Sequence, residues 1–314
     1  MRADASRSIG AGHVMRSSAI AEELITRGED VVFIGQISNL PWVEERIASL
    51  GFSRIYNQSS DYSPNSETDV LILDSYEIDI HATFILLENW LHVIVIADAL
   101  TPNYRCTLRI HPGVDSDWVG DSLTPILAGP KYIPFRSSLS KNLHVVNQVP
   151  HKLRIAVVAG GSDPYGLVQE ITRILAKIPE QFEVYLFSNS NFASALDSRF
   201  LLFEVGKKLD VLTKDVDLVL TTASTSSLEF LARGLCVGIA CAVENQEQNY
   251  ISLSKLGVAA KLGVRNTDNC WELDESMISS LVTSSKLRSE LVARAEGLFD
   301  FKGSSRIVDA ITSL

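Results

Sequence analysis

A histidine follows two closely spaced glycines near the N-terminus, in the run RADASRSIGAGHVMR (residues 2–16). Gly10 and Gly12 let the backbone approach a ligand closely. A helix is expected to begin near Gly12 or His13, because apolar residues follow at helical spacing as far as Gly28. His13 would then lie at a helix N-terminus, where N–H groups favour an anion and the dipole favours the neutral imidazole that a general base needs. The alternative is a histidine that caps a nucleotide-binding turn without a chemical role.

A glycine pair follows an apolar strand in the run AGGSDP (residues 159–164). Gly160, Gly161 and Ser162 would let phosphate oxygens come close, and Pro164 is expected in the first turn of the next helix. The alternative is an ordinary tight turn between a strand and a helix.

A hydroxyl-rich run, TTASTSSLE (residues 221–229), also follows a strand and opens a helix. Its hydroxyls and free N–H groups could bind a diphosphate, for which Thr225, Ser226 and Ser227 are the candidates. Glu229 would lie one turn inside the helix, where its carboxylate could accept both hydroxyls of a ribose. The alternative is a capping box formed by Ser226 and Glu229, which have the required spacing.

Two further polar turns follow strands. The run ENQEQN (residues 244–249) offers the side-chain amides of Asn245 and Gln246 to phosphate or sugar hydroxyls. In the run DSY, Tyr76 could orient a water or a sugar hydroxyl, because the carboxyl ends of strands face the ligand crevice in open α/β sheets. A solvated loop and a structural tyrosine are the alternatives.

These turns need a scaffold of alternating strands and helices, which the hydrophobic pattern predicts. Short Val- and Ile-rich runs indicate buried parallel strands at Asp30–Gly35, Asp69–Leu73, His92–Ala97, Arg154–Ala159, Phe182–Phe187, Asp217–Thr222 and Val237–Ala242. Amphipathic stretches indicate helices at Pro41–Leu50, Ile80–Leu91, Pro164–Lys177, Ser226–Arg233 and Gln246–Leu256, with more after Glu272. The fold class is therefore α/β, with two Rossmann-like, doubly wound domains facing across a cleft.

The 314 residues suit two such domains. We predict an N-terminal domain over residues 1–135, a polar linker over 136–153 and a C-terminal domain over 154–314. The run RADASRSIGAGHVMR begins at residue 2, so the buried strand that normally precedes such a loop is expected to be truncated.

The composition narrows the possible partners. The net charge is −10 and no basic stripe is present, which argues against nucleic acid. No apolar run reaches the length of a membrane helix, and the four cysteines form no CxxC pair. We expect a monomeric cytoplasmic protein with buried reduced thiols and neither a metal nor a cofactor.

Taken in order, the runs RADASRSIGAGHVMR, LDSYEID, AGPKYIPFR, VVAGGSDP, ASTSSLEFLARG and ENQEQNYISLSKLGVAAKLG resemble a known family. They resemble the UDP-sugar hydrolases of pseudaminic acid biosynthesis, which cleave UDP-2,4-diacetamido-2,4,6-trideoxy-β-L-altropyranose. That family is similar in fold to the lipid II-forming N-acetylglucosaminyltransferase, a two-lobed enzyme of the GT-B type. Where the family has a pair of aspartates, this chain has Ala97-Asp98.

The resemblance implies inverting hydrolysis of a UDP-sugar to UDP and the free sugar. His13 would be the base, with Tyr76 placing the water or the sugar and Asp4 of the same run as the third catalytic residue. The implied substrate-binding residues are Gly10, Gly12, Arg16, Gly160, Gly161, Ser162, Thr225, Ser226, Ser227, Glu229, Asn245 and Gln246. A glycosyltransferase with a UDP-sugar donor and a non-catalytic nucleotide-sugar-binding protein are the alternatives.

Overall fold

The chain forms two compact units. The computed structural model describes residues 1–7, 9–76, 87–98, 100–117, 124–139, 152–161, 163–189, 197–206 and 209–314. The first unit comprises Met1–Leu139 and Asp300–Leu314, and the second comprises Ser140–Phe299. The predicted C-terminal domain therefore ends early, because Asp300–Leu314 belong to the first unit. Most of the predicted linker, residues 140–151, lies outside the described residues.

The first unit is built on a parallel sheet. Its strands are β1 Arg2–Ala3, β2 Ala5–Ser6, β3 Val32–Ile34, β4 Ile37–Ser38, β5 Arg54–Tyr56, β6 Val70–Asp74, β7 His92–Ile96, β8 Leu108–Ile110 and β9 Ile126–Leu127. Seven of them pair in the order β5-β3-β1-β6-β7-β8-β9, while β2 and β4 pair separately. The order reverses between β1 and β6, the point at which doubly wound sheets bind ligands.

Strand β1 has only two residues, Arg2 and Ala3, and they belong to the run that the sequence analysis placed after a truncated strand. It still occupies the centre of the sheet, where Arg2 pairs with Ile34 of β3 and with Leu73 of β6. Ala3 stands level with Asp74, so the loop after β1 and the end of β6 meet at one edge.

Three described helices pack on this sheet: α1 Gly12–Thr26, α2 Pro41–Ser49 and, from the end of the chain, α9 Gly303–Thr312. Ile20 of α1 and Ile307 of α9 are fully buried in one cluster with the strand residues Ile94 and Ile110. A Cβ on Gly303 would lie 2.0 Å from the carbonyl oxygen of Ile133, so α9 approaches this backbone at a distance only glycine permits.

The second unit repeats the plan. Its strands are β10 Leu153–Val158, β11 Phe182–Phe187, β12 Phe200–Phe203, β13 Leu218–Thr222, β14 Cys236–Cys241, β15 Ala260–Arg265 and β16 Trp271–Leu273. Its helices are α3 Leu167–Ala176, α4 Leu209–Leu212, α5 Thr225–Ala232, α6 Glu247–Lys255, α7 Glu275–Thr283 and α8 Ser285–Ala295. The strand order is β12-β11-β10-β13-β14-β15-β16, and only β16 is antiparallel to its neighbour. The order reverses between β10 and β13.

The structure confirms the predicted strands to within two residues, since continuous apolar runs mark strands that are buried on both faces. For two of the predicted helices, the structure does not reproduce the predicted range. The predicted helix Ile80–Leu91 falls largely on residues 80–86, outside the described residues, and Leu87–Asn89 form a short 3-10 turn. The helix predicted from Pro164 begins at Leu167.

Candidate active site

The loop after β1 brings His13 to the start of α1. Gly10 has a φ of +85°, and its N–H donates to the carbonyl oxygen of Ser6 at 2.7 Å, which turns the chain back. Helix α1 begins at Gly12 with no side-chain cap, and His13 is its second residue, as predicted. The backbone N–H groups of this first turn therefore point out of the helix end next to the imidazole.

His13 is paired with a carboxylate that ends strand β6. The imidazole Nδ1 lies 2.6 Å from Oδ1 of Asp74, which is 1% exposed, and His13 itself is 5% exposed. Arg16 Nη2 lies 3.2 Å from the same ring nitrogen but 2.6 Å from Asp74 Oδ1, so we assign the arginine hydrogen to the carboxylate. Because an ionised carboxylate only accepts, Nδ1 carries a hydrogen, and in the neutral imidazole the lone pair then belongs to Nε2. A histidine held in this way can act as a general base.

Arg16 holds the carboxylate from the other side. Its Nε donates to Asp74 Oδ2 at 2.6 Å and its Nη2 to Oδ1, a two-point contact, and Ser17 Oγ adds a hydrogen bond at 3.1 Å. The sequence predicted that Arg16 binds substrate. The structure instead buries Arg16 against Asp74, because α1 places it one turn after His13, so we assign it to holding the base.

Asp74 and Arg16 are both charged in spite of their burial. Burial alone raises the pKa of the Asp74 carboxyl, but the Arg16 guanidinium and His13 outweigh it and hold that pKa well below its usual range. Burial likewise lowers the pKa of Arg16, and Asp74 overcomes this and raises it. A carboxylate that stays ionised can stabilise the imidazolium that forms when His13 accepts a proton.

Tyr76 lies against the imidazole, whereas Asp4 is engaged elsewhere. The Tyr76 and His13 rings meet edge to face, with centroids 4.5 Å apart. Asp4 forms an ion pair with Arg2 at 2.6 Å and accepts the N–H of Gln36 at 2.8 Å. These contacts assign Asp4 to the shape of the loop, and its catalytic role stays a prediction.

In the second unit, the glycine turn after β10 lies beside the hydroxyl-rich turn after β13. Gly160 has a φ of +80°, and a Cβ on it would lie 3.6 Å from Ser224 Oγ and 3.9 Å from Thr222 Oγ1. Gly160 therefore lies beside Ser224, the N-cap of α5, and Gly161 next to it is partly exposed, while their phosphate-binding role stays a prediction. Ser162 lies outside the described residues.

Asp163 explains why α3 begins later than predicted. Its carboxylate accepts the N–H groups of Leu167 at 2.9 Å and Val168 at 3.1 Å, while Gly166 takes up a left-handed conformation before the helix. Burial raises the pKa of Asp163 even though these N–H groups act in the opposite direction. The first N–H groups of α3 are thus bound to a side chain, and Pro164 lies in the preceding turn.

The start of α5 is open to a ligand. Its N-cap is Ser224, whose side chain makes no cap hydrogen bond, and Ser226 lies inside the helix, so the alternative of a capping box that starts at Ser226 does not form. Thr225 and Ser226 are partly exposed in the first turn, and Glu229 is partly exposed one turn further on. The arrangement suits an anion at the helix start with a carboxylate nearby for hydroxyl groups.

Ser227 departs from its predicted phosphate-binding role. Its hydroxyl donates to the carbonyl oxygen of Ser224 at 2.7 Å, its N–H bonds the same oxygen at 3.0 Å, and the residue is fully buried. Both of its donors stabilise the turn itself, so we assign Ser227 to the fold.

The polar turn after β14 presents an amide. Asn245 and Gln246 lie in the short 3-10 turn Glu244–Gln246, and both are partly exposed. Gln246 Oε1 accepts the N–H of Ala242 at 2.9 Å, which leaves its NH2 group available as a donor. β14 lies beside β13, so the three turns share the carboxyl edge of one sheet.

Sequence reasoning missed Asp74 and Ser17 as members of the site. Asp74 ends an apolar strand two residues before the predicted Tyr76, and a charged residue at the end of a buried strand is a signal that could have found it. Ser17 carries no such signal, because only the turn of α1 brings it to the carboxylate.

Other predicted properties concern metals, membranes and thiols. Among the residues that the structure describes, no group of three or more His, Cys, Asp or Glu could hold a metal ion. In the same part of the chain, no helix is long and apolar enough to cross a membrane. Cys236 and Cys241 are buried, but Cys106 is partly exposed and Cys270 is exposed, which corrects the prediction of buried thiols.

Comparisons with solved structures define the class of fold: two Rossmann-like α/β units of the GT-B glycosyltransferase type. MurG from Acinetobacter baumannii matches with a TM-score of 0.69 at 12% identity, over 100% of this chain and 99% of that one. The glycosyltransferase of kitacinnamycin matches with 0.67 at 16% identity, over 100% and 97% of the two chains. The spinosyn forosaminyltransferase SpnP matches with 0.66 at 10% identity, over 100% and 98%. No family model and no curated protein matches the chain.

Identities this low show the fold and leave the reaction open. The likeness does not separate the hydrolase family that the sequence resembles from transferases that share its fold.

Proposed function

We propose that this chain is an enzyme that cleaves the bond between the anomeric carbon and UDP in a UDP-sugar, with His13 as the general base. The observation that carries the proposal is the His13–Asp74 pair at 2.6 Å, which leaves Nε2 as the basic nitrogen. The proposal is supported by the position of this pair, at the reversal of strand order where doubly wound folds bind their ligands.

In the proposed reaction, Nε2 of His13 takes a proton from a nucleophile hydroxyl. The oxygen attacks the anomeric carbon from the face opposite UDP, and the UDP oxygen leaves with the electron pair, so the configuration inverts. Asp74 stabilises the imidazolium. On the second unit, N–H groups of the Gly160–Gly161 turn and of the α5 start meet the charge on the diphosphate, Glu229 accepts the ribose hydroxyls, and Asn245 and Gln246 donate to phosphate or sugar.

The first candidate for the nucleophile is the hydroxyl group of an acceptor molecule. The matching structures carry names of sugar-transferring enzymes, such as the spinosyn forosaminyltransferase, and they share the fold of both units. This candidate makes the chain a GT-B glycosyltransferase.

The second candidate is water, which makes the chain a UDP-sugar hydrolase. It is favoured by the run RADASRSIGAGHVMR with Tyr76, which resembles the hydrolases of pseudaminic acid biosynthesis. The near-complete burial of His13 also suits a small nucleophile.

The test is a screen of UDP-sugars for release of UDP, with and without added hydroxyl acceptors, and with the anomer of the product followed by proton NMR. Release without an acceptor, giving the inverted free sugar, supports hydrolysis, and release that requires an acceptor supports transfer. Binding of UDP-sugars with no release under either condition would contradict the proposal and support a non-catalytic binding protein.

A further inference from the structure

Asp98, which follows strand β7, is built into the same buried network. Its carboxylate accepts the hydroxyl hydrogen of Tyr76 through Oδ2, and Arg16 Nη2 lies 3.8 Å from that oxygen. Its other oxygen, Oδ1, accepts the N–H of Leu100 at 3.1 Å and the hydroxyl of Thr101 at 3.3 Å. The turn after β7 therefore fixes Asp98, and Asp98 fixes the hydroxyl end of Tyr76.

The direction of the hydrogen bond follows from the state of Tyr76. Burial raises the pKa of the Tyr76 hydroxyl, Arg16 works against this, and Asp98 adds to the rise. The phenol is therefore protonated, and its single hydrogen is committed to a carboxylate that can only accept. The hydroxyl oxygen keeps its lone pairs and can only accept a hydrogen from a further molecule.

Arg16 links the two carboxylates of the network. It donates twice to Asp74, which orients His13, and it lies near Asp98, which orients Tyr76. Since the centroids of the Tyr76 and His13 rings lie 4.5 Å apart in an edge-to-face contact, the network holds the imidazole and the phenol ring against each other.

We propose that Asp98 is a positioning residue that, through Tyr76, selects water as the nucleophile. This inference rests on the proposed function. Water can give one hydrogen to His13 Nε2 and the second to the Tyr76 oxygen, whereas an alcohol has only one hydroxyl hydrogen to give. The water oxygen forms the new bond to the anomeric carbon, UDP leaves with the electron pair of the broken bond, and the proton ends on His13.

The test compares Asp98→Ala, Asp98→Asn and Tyr76→Phe in the full chain, on a UDP-sugar that the wild type turns over. Released sugar and methyl glycoside are measured in water and in water with added methanol. We expect Asp98→Ala to lower kcat about 100-fold with little change in KM, because a misplaced nucleophile costs rate more than binding. The share of methyl glycoside should rise in Asp98→Ala and Tyr76→Phe, and Asp98→Asn, which keeps an acceptor oxygen, should recover part of the rate.

The chain provides a matched control pair. Tyr62 donates its hydroxyl to Asp69 at 2.6 Å in the same unit, just before β6 begins, at the other end of the strand from Asp74. Asp69→Asn and Tyr62→Phe should leave kcat and the product ratio unchanged, and thermal unfolding of all the variants separates a loss of folding from a loss of positioning.

The outcomes are distinct. Asp98→Ala and Tyr76→Phe with wild-type kcat and product ratio would overturn the inference and leave the proposed function standing. If Asp98→Ala does not fold, Tyr76→Phe alone decides, because it removes the same acceptor oxygen. A wild type that releases UDP from no UDP-sugar overturns the proposed function, and this inference falls with it.

Discussion

Both sheets carry their candidate functional turns where the strand order reverses, β1 beside β6 in the first unit and β10 beside β13 in the second. In the first unit, this position is filled by titratable side chains, with His13, Arg16 and Asp74 in contact and buried. In the second unit, it is lined by glycine and hydroxyl residues, with Gly160 next to Ser224. One topology thus supports two kinds of site.

The difference follows from what each site must do. A general base needs a lone pair in a fixed position. A buried imidazole is held in one orientation by a carboxylate, and that carboxylate needs a cation beside it to stay ionised. A diphosphate is bound by many weak donors, and backbone N–H groups at turns and helix starts supply these without buried charge. The comparison predicts that turnover and nucleotide binding can be damaged separately, one in each unit.

The largest expected effect is the loss of turnover in His13→Ala. Removing the general base should lower kcat about 1,000-fold, which corresponds to about 4 kcal/mol of activation free energy. The dissociation constant of UDP, measured by calorimetry, should change little, because the proposed diphosphate contacts lie on the second unit. His92→Ala, at the start of β7, serves as the control with normal activity. Weak UDP binding in His13→Ala would contradict the assignment of turnover and nucleotide binding to separate units.

The next effect is on stability. Asp74→Asn leaves the buried Arg16 without its nearest charged partner, and we expect about 3 kcal/mol of lost unfolding free energy, since a buried ion pair is costly to break. Urea unfolding at neutral pH measures this loss. Gly166→Ala, in the second unit, provides a reference for a small local change.

The stability of Asp74→Asn should also depend differently on pH in acid. Because the pKa of Asp74 is lower in the folded chain than in the unfolded chain, its contribution is complete above the unfolded value. That contribution is lost as the pH falls below about 4, where an unfolded aspartate takes up its proton. Stability of Asp74→Asn should therefore fall less steeply than the wild type over this range, and equal slopes would count against the ionised pair.

How far the sequence predicts the molecule differs between these two sites. Alternating apolar runs were enough for the strands, and the glycine and hydroxyl runs were enough to locate the turns of the second unit, because backbone-based sites depend on local sequence. The His13 network joins residues of α1 with the end of β6, and pairing across a sheet cannot be read from one segment. Arg16 and Ser227 were assigned to the substrate for the same reason, since their partners became visible only in the fold.

Glu229→Gln should produce an intermediate effect, confined to nucleotide binding. Replacing a carboxylate that accepts both ribose hydroxyls should weaken UDP binding by about 2 kcal/mol, the scale of hydrogen bonds to a charged group. The wild type should discriminate against 2′-deoxy-UDP, and the variant should lose that discrimination. Glu247→Gln, exposed in the first turn of α6, is the control. A variant that still discriminates would remove Glu229 from the ribose site.

The smallest expected effect comes from one methyl group on each of two glycines in the same loop. Gly160 and Gly166 have φ values of +80° and +70°, so alanine at either position should cost about 1 kcal/mol of stability. A Cβ at Gly160 would enter the space beside Ser224, while a Cβ at Gly166 meets nothing within 4 Å. Gly160→Ala should therefore weaken UDP binding and Gly166→Ala should not, although both unfold at similarly lowered urea concentrations.

The two alanine variants separate the effect of backbone strain from the effect of contact with the nucleotide. Both substitutions introduce strain, but only Gly160→Ala adds a methyl group beside Ser224. Equal UDP affinity in both variants would mean that the open face of the Gly160 turn does not meet the nucleotide, and the diphosphate would then have to bind at the start of α5 without it. A selective loss in Gly160→Ala would show that the second unit binds its ligand through backbone that must remain bare, in contrast to the side-chain network around His13.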